Sequence, residues 1–124
     1  MAKKMSQKAK DIRRKLRVAR KLIEKKENWT TRTFARTIEG YQTVPESPDA
    51  IQWCAVGALK RSFGVDDHAN DYFVGLKLLK DCIPTRRITT GEVTTFNDAS
   101  MSPAHHQKVL AMFDCAIEKA ADIA

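Results

Sequence analysis

The stretch SQKAKDIRRKLRVARKLIEKKE, residues 6–27, decides the fold class. Ile12, Leu16, Ala19 and Ile23 recur at offsets of four, three and four residues, which lines them along one side of a helix. Val18 and Leu22 widen that stripe, and Arg13, Arg14, Arg17, Arg20, Lys21 and Lys25 cover the other faces. Ser6 is suited to cap the first turn. With no Gly or Pro inside it, the segment predicts a basic amphipathic helix over 6–27 behind a short flexible lead, residues 1–5.

The charge is as uneven as the pattern is regular. Residues 1–26 hold twelve Lys/Arg and two acids, a net +10; residues 27–124 hold ten and thirteen, a net −3; the whole chain is +7. The basic excess therefore sits on one arm, which suggests a polyanion-binding helix or one that docks on an acidic surface. A membrane-surface role is disfavoured, because this helix has no Trp or Phe to enter the lipid interface.

Beyond residue 27, Asn28–Thr31 reads as a turn. Phe34–Ile38 and Tyr41–Val44 flank Glu39-Gly40 and are compatible with a short hairpin, which would have to lie on the helices to be stable. Ser47-Pro48-Asp49 carries the N-cap, N1 and first-turn signals of a helix running to Phe63, with Gly64 ending it. Ile51, Cys54, Ala55, Ala58 and Leu59 would form its apolar face, and Gly57 would let another helix approach. A third helix, capped by Asp66 or Asp67, is expected to reach Cys82 and stop before Pro84, with Ala69, Tyr72, Phe73, Leu76 and Leu79 inward. Residues 85–98 read as a loop holding one helical turn with Val93 and Phe96. Ser102-Pro103 opens a last helix to about Ala121, with Val109, Met112, Phe113, Ala116, Ile117 and Ala120 inward. The expected fold is all-α or nearly so: one domain over 1–124, four main helices, one or two minor ones and a short hairpin.

At 124 residues the chain can bury a core without staples. Its 43% hydrophobic and 30% charged content suits a globular protein. Cys54, Cys82 and Cys115 are odd in number with no CxxC spacing, so a disulfide framework is not expected and a reducing, cytoplasmic setting is the simpler reading. No signal-peptide h-region and no membrane-spanning run are found.

The chemistry-bearing residues have structural readings beside functional ones. Cys54 with His105 or His106 and Asn97 or Asp98 has the composition of a thiol-protease site. Counted from Ser47, however, Cys54 falls inside a helix on its apolar face, where burial raises a thiol pKa. His68, His105 and His106 match no zinc spacing, and the latter two are expected to be exposed or to cap a helix. No cofactor or metal is expected. Asn97-Asp98 is expected to satisfy backbone groups in a loop. Trp29 and Trp53 are expected to anchor the core or its rim; a polar pocket drawing on Trp29, Arg36, Trp53, Asn97 and Asp98 is the functional alternative.

The order of these features resembles a family. A basic first helix, Trp29, Ala35-Arg36, Gly40, the run Trp53-Cys54-Ala55-Val56-Gly57-Ala58-Leu59, Phe96-Asn97-Asp98 and an apolar last helix are similar to small bacterial and phage proteins of unknown function. The resemblance covers about residues 12–120. It implies one compact domain, carries no activity, and is compatible with a phage or mobile-element accessory or inhibitor protein.

Three functions follow as expectations. The first is a non-enzymatic binding or regulatory module contacting nucleic acid or an acidic protein through Arg13, Arg14, Arg17, Arg20, Lys21 and Lys25. The second is a hydrolase or transferase centred on Cys54. The third is a homo-oligomeric interaction protein, the chain being a monomer or homodimer in the other cases.

Overall fold

A computed structural model of the protein describes residues 4–64, 69–84 and 92–124. Five helices and three two-residue strands follow one another in the order α1 (Gln7–Leu22), β1 (Ala35–Arg36), β2 (Gln42–Thr43), β3 (Gln52–Trp53), α2 (Ala55–Phe63), α3 (Ala69–Asp81), α4 (Val93–Asn97) and α5 (Pro103–Ala120). The mainly helical class expected from the pattern holds, with a small sheet added.

Ser6 caps α1 by accepting a hydrogen bond from the Ala9 amide, and its hydroxyl donates to the Ile123 carbonyl, which joins the two ends of the chain. Ala9, Ile12, Leu16, Ala19 and Ile23 are fully buried, and α1 packs along this seam against α2 and α5. Each large aliphatic side chain there contributes about 1.5–3 kcal/mol. Ser102 caps α5 in the same way, through the His105 amide, with Pro103 at its first position. All six residues expected inward on α5 are buried.

The middle of the chain departs from the expectation. Ser47-Pro48 starts no helix: the Ser47 hydroxyl and carbonyl accept from the amides of Asp49 and Ala50, closing a turn. The chain then runs extended through Gln52–Trp53, and α2 begins only at Ala55. The reason is non-local. The expected hairpin forms, with Ala35 opposite Thr43 and Arg36 opposite Gln42, and the other edge of β1 pairs with β3, giving the antiparallel order β2-β1-β3. Amides of Ile51 and Cys54 donate to the carbonyls of Arg36 and Phe34. Ile51 is accordingly exposed rather than part of an apolar helix face. Nor does a helix approach Gly57: a Cβ there would overlap the Phe34 carbonyl, so the glycine lets β1 lie on α2.

Other expectations are corrected in detail. Val18 is 46% exposed and Leu22 half-buried, so the apolar stripe of α1 is narrower than supposed. Phe73 points outward, 62% exposed. The capping role of Asp66 or Asp67, the side chain of Ala69, the lead residues 1–3 and residues 85–91 of the 85–98 loop lie outside the described residues. Asn97 closes the short helix α4 instead of lying in a loop. Cys82 and Cys115 form a disulfide between the end of α3 and α5, their Cα atoms 5.9 Å apart. The odd cysteine count concealed this pair, because the partners are 33 residues apart and only helix packing brings them together. The disulfide removes the compositional argument for a reducing compartment. No described helix is long and apolar enough to cross a membrane.

Candidate functional site

Three regions hold the residues singled out above; the first two adjoin through Asp98, and the third lies on the outer side of α1.

The first is buried. Asn97, fully buried, accepts from the Trp29 indole Nε1 at 2.7 Å and from the Ala55 amide at 3.0 Å. Its side-chain amide donates to the Thr30 carbonyl and to Asp98 Oδ1. His105 and His106 are buried, not exposed. Their Nε2 atoms lie 2.6 and 2.7 Å from the carbonyls of Phe96 and Ile23, and since a carbonyl only accepts, each Nε2 carries hydrogen and donates. They thus cap carbonyls at the ends of α4 and α1, where helices leave them unpaired. Both imidazoles pack on the Trp29 ring. Trp53 donates to the Pro45 carbonyl, with the Arg61 guanidinium over its ring. Arg36 donates to Thr30 Oγ1 and to the carbonyls of Gly40 and Thr31. The five residues of the supposed polar pocket therefore do not line one cavity.

The second region surrounds Cys54, which is the N-cap of α2 rather than a residue inside a helix. Its sulfur accepts from the Gly57 amide at 3.3 Å and faces a cavity of about 330 Å³ bordered by Arg32, Phe34, Gln42, Thr94 and Asp98. The position is one at which helix amides favour a thiolate. Burial outweighs them and pushes the Cys54 thiol above its ordinary range; the amides of Gly57 and Val56 pull it down, and the nearby Asp98 carboxylate adds to the rise. The histidines of α5 do not border this cavity, being turned to Phe96 and Ile23. His68 lies outside the described residues.

The third region is the outer side of α1. Lys10, Arg14, Arg17 and Lys21 follow at offsets of four, three and four, the same rhythm as the buried seam two residues out of phase, so they form a row turned away from the core. All four are exposed, and Lys25 continues the row past the helix end. Lys10 belongs to this row and is not among the six contact residues expected from the sequence. Across it, four cations span about 16 Å of helix. Arg14 lies 3.8 Å from Asp11, an exposed pair of small energetic value. Among the described residues Arg17, Lys21 and Lys25 form no ion pair. Val18 and Leu22 lie beside the row.

Two of the expected contact residues do not join it. Arg13 donates to the Ile117 carbonyl of α5. Arg20 is paired with Glu24 at 2.9 Å and with Asp114 of α5 at 2.7 Å. Both hold α1 to α5.

The family model of DUF6197, a family of unknown function, matches residues 7–119, from the first turn of α1 to the last turn of α5. The chain belongs to DUF6197. No curated protein and no solved structure matches it. The match spans both the buried hub and the cationic row of this DUF6197 member, so membership bears on the whole fold and singles out neither region.

Proposed function

We propose that this DUF6197 protein is a non-enzymatic nucleic-acid-binding module that lays the outer row of α1 on a phosphate backbone. The observation that carries the reading is the separation of charges on one helix. Arg13 and Arg20 are consumed by contacts to α5, whereas Lys10, Arg14, Arg17 and Lys21 form a straight, solvent-facing row. Such a row meets regularly spaced phosphates without needing base contacts, so binding is sequence-independent and salt-dependent. An accessory or regulatory role in a phage or mobile element, in the cytoplasm, fits the class of small proteins it resembles. In that reducing compartment the Cys82–Cys115 pair would be open, so the reading requires binding that does not depend on it.

The test is anisotropy of a fluorescein-labelled duplex titrated with the full chain. About four neutralised phosphates give a slope of about −3 to −4 in log K against log salt. Arg14→Glu/Arg17→Glu/Lys21→Glu should lose at least ~100-fold in affinity with an unchanged melting temperature. Salt-independent binding, or a triple variant that binds like the parent, overturns the reading. Loss of a nuclease-resistant acidic protein partner in that variant, with no duplex affinity in the parent, would transfer the row to protein docking.

A second reading has one observation of its own. The hairpin exposes Ile38, Tyr41 and Val44, an apolar tip suited to self-association. Sedimentation at two concentrations, with Tyr41→Ser as control, tests it: a monomer at both disposes of it.

A further inference from the structure

At the C-terminal end of α1 the cationic row meets a groove of about 600 Å³, within the size range of small-molecule sites, about 300–1,000 Å³. Lys26 and Arg32 border it, Trp29, Arg36 and Gln52 line it, and Met101 borders it with 66% of its own surface exposed. The cations differ in availability. Arg36 is held by Thr30, Thr31 and Gly40. Arg32 and Lys26 form no ion pair among the described residues. Lys26 stands 6.0 Å from the Trp29 ring, which keeps its charge beside the groove.

Arg32 is placed there by the backbone. Its φ is +69°, the left-handed region that disfavours a side-chain-bearing residue. The conformation is secured by its amide, which donates to Asp98 Oδ1 at 2.9 Å. A residue costly to hold in this geometry carries an exposed guanidinium at the edge of the groove.

We infer that this groove seats one unpaired nucleotide of a single-stranded nucleic acid, its phosphate between Lys26 and Arg32 and its base against Met101. The inference rests on the reading of α1 as a phosphate-binding row and names the form of nucleic acid that completes it. The row leads to the groove through Lys25 and Lys26, so a strand lying on α1 reaches it without leaving the protein. A base can lie against side chains in such a groove only when it is unstacked and unpaired, as in a single strand. Its lining matches the parts of a nucleotide: two cations for the phosphate, the Gln52 amide for a base edge, and a polarisable thioether for the base face. A duplex would use the row alone.

The experiment compares a fluorescein-labelled 12-nucleotide oligothymidylate with a 12-base-pair duplex on the full chain. Arg32→Asn removes the charge and keeps a residue that tolerates the left-handed backbone; Met101→Ser removes the thioether at an exposed position. The oligothymidylate should lose about tenfold with Arg32→Asn and several-fold with Met101→Ser, while the duplex changes less than about twofold with either. Melting curves of both variants confirm that they fold. Equal losses for both probes, or none for either, overturn the groove and leave the α1 reading standing. If the parent binds neither probe, both fall together.

Discussion

Polar side chains cluster both around Asn97 and on the outer side of α1, and they are used in opposite ways. At Asn97 the Trp29 indole, the Ala55 amide and the Thr30 carbonyl all close on one side chain, and two histidines close on the ends of two helices. Nothing there is left to offer a ligand, and every group is costly to orphan because it is out of reach of water. On α1, Arg17 and Lys21 have no partner among the described residues and lose little if removed. The contrast teaches where to look for function in a domain without a known activity: at charge the fold does not use. Arg13 and Arg14 make the point at one-residue resolution, the first tied to the Ile117 carbonyl, the second turned to solvent.

The contrast can be broken most forcefully at its buried side. Asn97→Ala strands two donors and an acceptor and should cost roughly 4 kcal/mol, lowering the melting temperature by roughly 15 °C. A loss below ~1 kcal/mol by urea denaturation would mean that the hub rearranges around water, and the division drawn here would fail.

The disulfide comes next. Opening a bridge between residues 33 apart should cost about 3–4 kcal/mol by loop entropy. Reductant should bring the parent down to the melting temperature of Cys82→Ser and leave that variant unmoved. Duplex affinity should be the same in both states; a change would tie α3 and α5 to the binding face.

Cys54 sharpens the comparison because it sits where function is usual and is treated by the fold as core. Its raised pKa keeps it a thiol at pH 7, so iodoacetamide should label it at least ~10-fold more slowly than an unfolded-chain thiol, gaining only at alkaline pH. The linkage has a definite sign. Between the unfolded and folded pKa values the unfolded chain has lost the proton and the native one keeps it, so native stability falls as pH rises above the ordinary thiol range. Tyr72, also raised by burial, adds to the fall at higher pH. Fast labelling at pH 7 would return Cys54 to the list of nucleophiles.

The smallest effect belongs to Arg17. Arg17→Glu should change stability by less than about 0.5 kcal/mol, while duplex affinity drops several-fold. A clear destabilisation would show a partner for Arg17 and remove it from the row.

Much of this was legible in the sequence. α1 and α5 announce themselves through period and through Ser6 and Ser102-Pro103, since capping and amphipathicity are local. The same Ser-Pro signal misled at Ser47, where β1 offered an unpaired edge and captured residues 51–54 before a helix could start. The error carried Cys54 from the N-cap of a helix to its interior. The run Ile51-Gln52-Trp53 alternates apolar, polar and apolar with the period of a strand, a signal too short to outweigh three helix-start residues. Burial of His105 and His106 had no sequence signal, because their partners are carbonyls of Phe96 and Ile23, which every residue type carries.

Read alone, the sequence determined which segments become helices with one greasy side, and that the positive charge is collected near one end. Both follow from side-chain order along a backbone of known period. Only the folded arrangement decided which arginines are consumed by α5 and which face water, which cysteines meet, and where α2 begins. Those outcomes depend on contacts between residues tens of positions apart, whose distances no local pattern encodes.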